Sequence, residues 1–292
     1  MPAPLPKTPR APLKALLLCF ALLNYVSASG IAVANTPPSN NQRQLQPQLQ
    51  QSTLVIILDD MGNNLELGRR AIALPGAVNY AILPHRPFSA TLATAAHQHH
   101  KEVLLHAPMT NLGSQATGRG TLTPKMNQTE FLQTLRSNLA SVPYAQGVNN
   151  HTGSLLTQLH QPMTWLMQEL KQRKLYFIDS RTSPRTVAES TGCTEQLPTL
   201  RRHIFLDNKR DVAAIEQQFE QLLQLAKQQG NAVAIGHPYP ETLTFLEQTL
   251  PLLSARGFAL IPASLAAATK DKTSTRHCLS QTTTHTKTYY KL

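Results

Sequence analysis

The sequence predicts a single α/β domain, built from parallel strands covered by helices and either open or closed into a barrel. Three observations predict it. The run Leu54-Val55-Ile56-Ile57-Leu58-Asp59-Asp60-Met61-Gly62 begins as five apolar, mostly branched residues, which is the pattern of a strand buried on both faces. Strand-like and helix-like segments then alternate with no internal linker. Several of the apolar strands end on residues that bind metals or move protons, and the carboxyl ends of strands are where α/β folds collect ligands.

The two ends of the chain stand outside this pattern. Lys7, Arg10 and Lys14 precede an apolar run, Ala15 to Leu23, too short to span a bilayer, and Ala32-Val33-Ala34 follows. Residues 1–34 therefore read as a secretory signal cut after Ala34, which places the mature protein in a periplasm or outside the cell with no transmembrane segment. Residues 35–52 are rich in Gln, Asn and Pro and read as a flexible linker. Residues 53–268 form the domain, and residues 269–292 read as a disordered basic tail. The formal charge of +11 is largely an end effect: the leader carries +3 and the tail +4, leaving +4 for the rest. No element of the domain clusters Lys and Arg, so nucleic acid is not an expected partner. After removal of the leader only Cys193 and Cys278 remain. Without a disulfide framework, the domain must hold by its hydrophobic core.

Taken in order, the first strand is followed by a helix from Asn63 to Ala73, which Pro75-Gly76 breaks. Val78 to Leu83 is a strand closed by Pro84, and Ser89 to His100 is an alanine-rich helix. His97, His99 and His100 at its end lack a nearby acid and read as a solvated face. Glu102 to Leu105 is a strand ending on His106, and a long loop, Asn111 to Thr123, reads as a substrate-facing element. Phe131, Leu132, Leu135 and Leu139 mark a helix over Thr129–Val142. Val148 enters the polar turn Asn149-Asn150-His151. Gln161 to Arg173 is a helix, and Leu175 to Ile178 a strand ending on Asp179-Ser180-Arg181. Ile204 to Asp207 reads as a further strand, and Val212 to Gln229 as an amphipathic helix ended by Gly230. Ala232 to Ile235 is a strand ending on Gly236-His237-Pro238. A helix opening at Pro240-Glu241 and kinked by Pro251 precedes the last strand, Phe258 to Ile261.

Two adjacent carboxylates, Asp59 and Asp60, repel each other unless a cation sits beside them. His106, His151 and His237 follow other strands, and in an α/β fold they converge with the acids on one face. Histidine and aspartate suit Zn²⁺ or a similar divalent ion with an open position for water. Each residue also has a plainer reading: a helix cap for an Asp, a packed or backbone-bonded core His, a turn-holding His151.

The runs Ile57-Leu58-Asp59-Asp60-Met61-Gly62, Glu102-Val103-Leu104-Leu105-His106-Ala107-Pro108-Met109, Val148-Asn149-Asn150-His151-Thr152-Gly153-Ser154, Phe177-Ile178-Asp179-Ser180-Arg181-Thr182 and Ile235-Gly236-His237-Pro238 resemble, in the same order, the divergent polysaccharide deacetylase family. The resemblance covers roughly Leu54 to Ala266. It implies a distorted (β/α) barrel and an exported bacterial protein acting on a polysaccharide or peptidoglycan-type glycan. It further implies that Asp60 is the metal carboxylate, Asp59 the base and His237 the acid, with His106 as a metal ligand. The better-known deacetylases use two histidines four apart, but Thr110 stands four residues after His106, so His151 is taken as the second histidine. Asp179 or Arg181 is then expected to orient a histidine or the substrate, with Asn150 and Arg181 contacting substrate. The function implied is metal-dependent removal of N- or O-acetyl groups. Its rivals are a non-catalytic envelope protein that uses the same cleft to bind glycan or a protein, and a hydrolase of peptides or phosphate esters.

Overall fold

A computed structural model describes residues 51–113 and 115–270. The expected leader, nearly all of the linker, and the tail beyond residue 270 with Cys278 lie outside these residues. Cys193 is disulfide-bonded.

The sheet grows in both directions from β1 (Ser52–Met61), the apolar strand that opens the domain. On one side follow β2 (Asn79–Ile82), β3 (Glu102–Met109), β4 (Ala145–Thr152), β5 (Tyr176–Asp179) and β6 (Thr199–Arg201). On the other side lie β8 (Asn231–Gly236) and then β7 (Ile204–Phe205), while β9 (Phe258–Leu260) pairs with the start of β1. All of these pairings are parallel. The two edges, β6 and β7, are separated only by Arg202 and His203. Arg202 N–H donates to the Asp179 carbonyl of β5 at 2.9 Å, and His203 N–H donates to the Val233 carbonyl of β8 at 2.9 Å. One bent stretch thus serves both edges, and the sheet curls into a distorted barrel.

Helices α1 (Leu65–Ile72), α2 (Ser89–Gln98), α3 (Gln128–Ser141), α4 (His160–Gln172), α5 (Ala188–Thr194), α6 (Val212–Gln229) and α7 (Pro240–Thr249) alternate with the strands. Local chemistry sets their ends. Asn127 and Glu130 form a reciprocal capping box on α3, Asp211 caps α6, and Gly230 closes α6 at a φ of 82°. Pro251 does not kink α7 but follows it, inside a 3₁₀ turn over Leu250–Leu252.

Strand alternation sorts the core into two. Leu54, Ile56 and Leu58 of β1 face the helices, whereas Val55 and Ile57 face the lumen with Ala81, Leu104, Ile178, Val233 and Ile235. Burying each such aliphatic side chain stabilises the fold by about 1.5–3 kcal/mol. The amino-terminal end of the lumen is stoppered by a helix at 263–270 (α8), whose Ala263 and Ala267 join the inner cluster. Neither α5 nor α8 is foreseen in the sequence. Both are short, small-residue segments, so they leave no apolar stripe and are fixed by what they pack on. Helix α8 reaches two residues into the stretch expected to be tail, and there Lys270 Nζ meets Glu189 Oε1 of α5 at 2.6 Å. No described helix is long and apolar enough to cross a membrane.

Candidate metal centre

The inward-facing alternation that buries Val55 and Ile57 at mid-lumen continues to the carboxyl ends of the strands. There it presents Asp59 from β1, His106 from β3, and Asn149 and His151 from β4. Ser180 follows β5, Arg202 follows β6, and His237 follows β8. Asp60 should point the other way, since neighbours on a strand face opposite sides. It does not, because its backbone turns to the left-handed region (φ 58°) and the pairing of β1 with β2 shifts register between Leu58 and Met61. Gly62 completes the turn at a φ of 122°, where an added Cβ would lie 3.2 Å from both Arg86 Cβ and Ser89 Oγ. This bulge lets two consecutive carboxylates share one cavity.

Three ligand atoms meet there. Asp60 Oδ1 lies 3.2 Å from His106 Nε2 and 2.9 Å from His151 Nδ1, and the two nitrogens are 3.1 Å apart. Asp60 Oδ1 is buried yet receives no properly directed hydrogen bond. One carboxylate oxygen and two ring nitrogens, each able to offer a lone pair, converge on one point, which is the arrangement a cation requires. Metal–ligand bonds of 2.0–2.1 Å in a tetrahedral site place ligand atoms about 3.3 Å apart, so the triangle fits Zn²⁺ to within a few tenths of an ångström. The donor set of two imidazoles and a carboxylate suits the same class of ion. Burial pushes Asp60 up, but the two imidazoles outweigh it and hold the carboxyl well below the usual range.

The surrounding groups fix orientation. Asn149, fully buried, accepts from His106 Nδ1 at 2.8 Å and donates through Nδ2 to Asp59 Oδ1 at 2.8 Å. This places the His106 proton on Nδ1, frees Nε2 as a ligand, and holds Asp59 beside it. Burial raises the Asp59 carboxyl against the opposing pull of His106 and His237. On the far side His237 Nδ1 donates to Asp207 Oδ1 at 2.9 Å. Asp207 Oδ2 accepts from His237 N–H at 2.6 Å and from Thr242 Oγ1 at 2.8 Å. His237 Nε2 is thereby left facing Asp60 Oδ2 at 3.8 Å. Burial alone would lower its pKa, but the Asp207 hydrogen bond and charge, with Asp59 and Asp60 beyond, lift it to about 9.

Two residues expected in the site lie elsewhere. Asp179 faces outward, accepting from Arg181 N–H at 2.8 Å and Thr186 Oγ1 at 2.9 Å, so it shapes the turn after β5 and orients no histidine. Asn150 is 1 % exposed, with its amide spent on the Thr152 carbonyl and Ser180 N–H, so it braces the turn beyond His151 and cannot reach a substrate. That turn needs bracing, because Thr152 is β-branched at a φ of 53°. Asp207 and Asn149 hold His237 and His106; the sequence places Asn149 among the converging strand-end residues without a role and leaves Asp207 out. Period-two alternation would have singled out Asn149, since it shares a face with His151 and Asn150 does not. Asp207 stands at the end of its own apolar strand, the very signal used for the others. His97, His99 and His100 are exposed and stand apart from the centre, with His97 stacked on Tyr144 at 4.0 Å. Depressions of about 400 and 460 Å³ flank α3, lined by residues such as His85, Arg119 and Lys125, and share no residue with the centre.

A family model for divergent polysaccharide deacetylases matches residues 56–266. The chain belongs to that family. The chain is similar to the uncharacterized protein YibQ of Escherichia coli, 38 % identical over 195 residues, which are 67 % of this chain and 61 % of the relative. The chain thus spans less than two thirds of that relative's length. An uncharacterized protein of Haemophilus influenzae is 34 % identical over 200 residues, covering 68 % of this chain and 71 % of the other. The barrel matches the crystal structure of an uncharacterized Agrobacterium tumefaciens protein with a TM-score of 0.72 at 19 % identity, over 74 % of this chain and 89 % of that one.

Proposed function

We propose that the protein is an exported, metal-dependent hydrolase that removes N- or O-acetyl groups from an envelope or extracellular polysaccharide. The observation that carries this reading is the buried, unpartnered Asp60 Oδ1 at the meeting point of His106 Nε2 and His151 Nδ1, with a buried acid on one side and a raised histidine on the other. Family membership supports the substrate class, and the leader-like residues 1–34 support export.

Asp60, His106 and His151 would hold a divalent ion, Zn²⁺ by donor type. Lewis-acid polarisation of an acyl carbonyl and of the attacking water is the chemistry such an ion supplies when bound. Asp59 is the base. Asn149 occupies its Oδ1, so Oδ2 is the oxygen that receives the proton. His237 is the acid. Asp207 holds Nδ1, so the proton leaves from Nε2 toward the departing amine or alkoxide, and the raised pKa keeps the ring charged at neutral pH. The test is metal content and acetate release from acetylated glycans for wild type and Asp60→Ala. Stoichiometric divalent metal and release in wild type, both lost in the variant, support the reading. A wild type with neither sinks it, and glycan binding that survives chelation without turnover would assign the cleft to recognition alone.

A further inference from the structure

We propose that Arg181 and Arg202 form an oxyanion-binding site on the wall of this cleft, and that the saccharide received there is acidic. The proposal deepens the hydrolase reading by naming its substrate class. Arg202 follows Leu200 on the lumen-facing alternation and stands at the seam where β6 passes into β7. Its guanidinium is fixed without any acid: Nε donates to the Ser180 carbonyl at 2.7 Å, Nη2 donates to the Arg181 carbonyl at 3.0 Å, and Cζ lies 3.7 Å from the centre of the Phe205 ring. Arg181 is held beside it in the left-handed region (φ 50°), its N–H bound to Asp179.

These two contrast with the paired arginines of the fold. Arg70, Arg136, Arg173 and Arg256 each meet a glutamate within 2.6–2.9 Å. Among the described residues neither Arg181 nor Arg202 has a carboxylate partner for its guanidinium, although both are partly buried and next to each other. Burial, and then the charge of Arg181, depress the Arg202 guanidinium, with Asp179 and Asp59 only partly opposing. Neither acid pairs with the guanidinium: Asp179 is spent on Arg181 N–H and Thr186, and Asp59 turns its oxygens to Asn149 and His106. The fixed guanidinium of Arg202, with the unpaired charge of Arg181 next to it, is complementary to one carboxylate or sulfate, which would accept from both. Arg202 lies within reach of the Asp59 charge, so the acidic group belongs on the sugar being processed or on its neighbour.

The experiment follows the arginine side-chain Nε–Hε resonances of the full chain, with and without a chelator, during titration with glucuronate, a sulfated glucose, or glucose. At least one charged sugar should shift the Arg181 and Arg202 resonances saturably where glucose does not, and whichever acts identifies the oxyanion. Arg181→Gln should weaken that binding about tenfold or more. Arg202→Lys, which keeps the charge and loses the fork, should weaken it by a smaller factor. Charged sugars that act no more strongly than glucose overturn the proposal, as does an unchanged affinity in Arg181→Gln. The readout needs neither metal nor turnover. Oxyanion binding without acetate release would therefore refute the hydrolase reading and spare this one, and the reverse result would do the opposite.

Discussion

Two acids mark opposite ends of the lumen, and they are treated in opposite ways. Glu102, at the amino-terminal end, is 7 % exposed and fully partnered. It accepts from the Tyr176 hydroxyl, from Ser264 N–H at 2.8 Å and from Ser264 Oγ at 2.6 Å, and so ties β3, β5 and α8 together. Asp60, at the carboxyl-terminal end, sits on a left-handed backbone and keeps a buried oxygen without a donor. A satisfied buried acid holds structure. An unsatisfied one on a strained backbone is sustained by the rest of the fold, and this is where function is concentrated.

The largest expected effect breaks the comparison if it fails. Asp60→Asn should abolish metal binding and lower acetate release by about three orders of magnitude or more. Asn tolerates the left-handed region, but the carboxylate that the two imidazoles hold well below its usual range is lost, so folding stability should fall modestly. Glu102→Ala should act on the fold and spare the metal. It strands the buried Tyr176 hydroxyl and Ser264 N–H and should cost about 2–4 kcal/mol, which is roughly 5–12 °C in Tm for a domain of this size. Metal content per folded molecule should stay unchanged. Thermal melts and metal analysis of both variants decide the matter, and an Asp60→Asn that keeps its metal would mean that both acids are structural.

This contrast could be read in part from the sequence. The apolar run of β1, the alternation of strands and helices, and the polar residues after each strand all follow from periodicity. They place Asp59, His106, His151 and His237 at strand ends. What periodicity cannot give is the direction of Asp60, which depends on a backbone angle that breaks the alternation. Nor does it give the partners of Glu102, one of which lies on the unforeseen helix α8. Asn150 and Asp179 show the opposite error. A polar residue near a strand end is not automatically inside the barrel, and the alternation that placed their neighbours inward sends these two outward.

Asp207 sharpens the comparison, because it is fully partnered like Glu102 yet lies in the functional layer. Its loss should therefore be graded rather than abolishing. In Asp207→Asn the amide oxygen can still accept from His237 Nδ1, but the negative charge that lifts the imidazole is gone. In the proposed reaction the acid form of His237 is the working form, and it is lost as pH rises through its pKa of about 9. Removing the charge moves that limb toward the ordinary histidine value, so the pH profile of kcat should lose its alkaline shoulder. The rate above neutral pH should fall about ten- to a hundredfold. A profile that keeps its alkaline limb in place would show that Asp207 acts on folding alone.

The smallest effect tests the partnered half of the comparison outside the lumen. Glu169 on α4 is 4 % exposed and receives Arg136 through Nε and Nη2 at 2.9 and 2.8 Å, and Arg173 Nε at 2.6 Å. The hydrogen bonds from Arg136, ahead of the opposing burial and then Arg173, hold its carboxyl down at about 2, against 4.5 when unfolded. A depressed acid contributes stability above its unfolded pKa and loses it as pH falls toward the folded one. The contribution should be present at neutral pH and disappear between about pH 4.5 and 2. Both arginines are about half exposed, so solvent screening limits the contribution to about 1–2 kcal/mol. Urea unfolding of Glu169→Gln should show that deficit at neutral pH and converge on wild type near about pH 2. A deficit that does not change with pH would mean that Glu169 stabilises by packing its stem and not by its charge, and a partnered acid would then owe its structural role to shape.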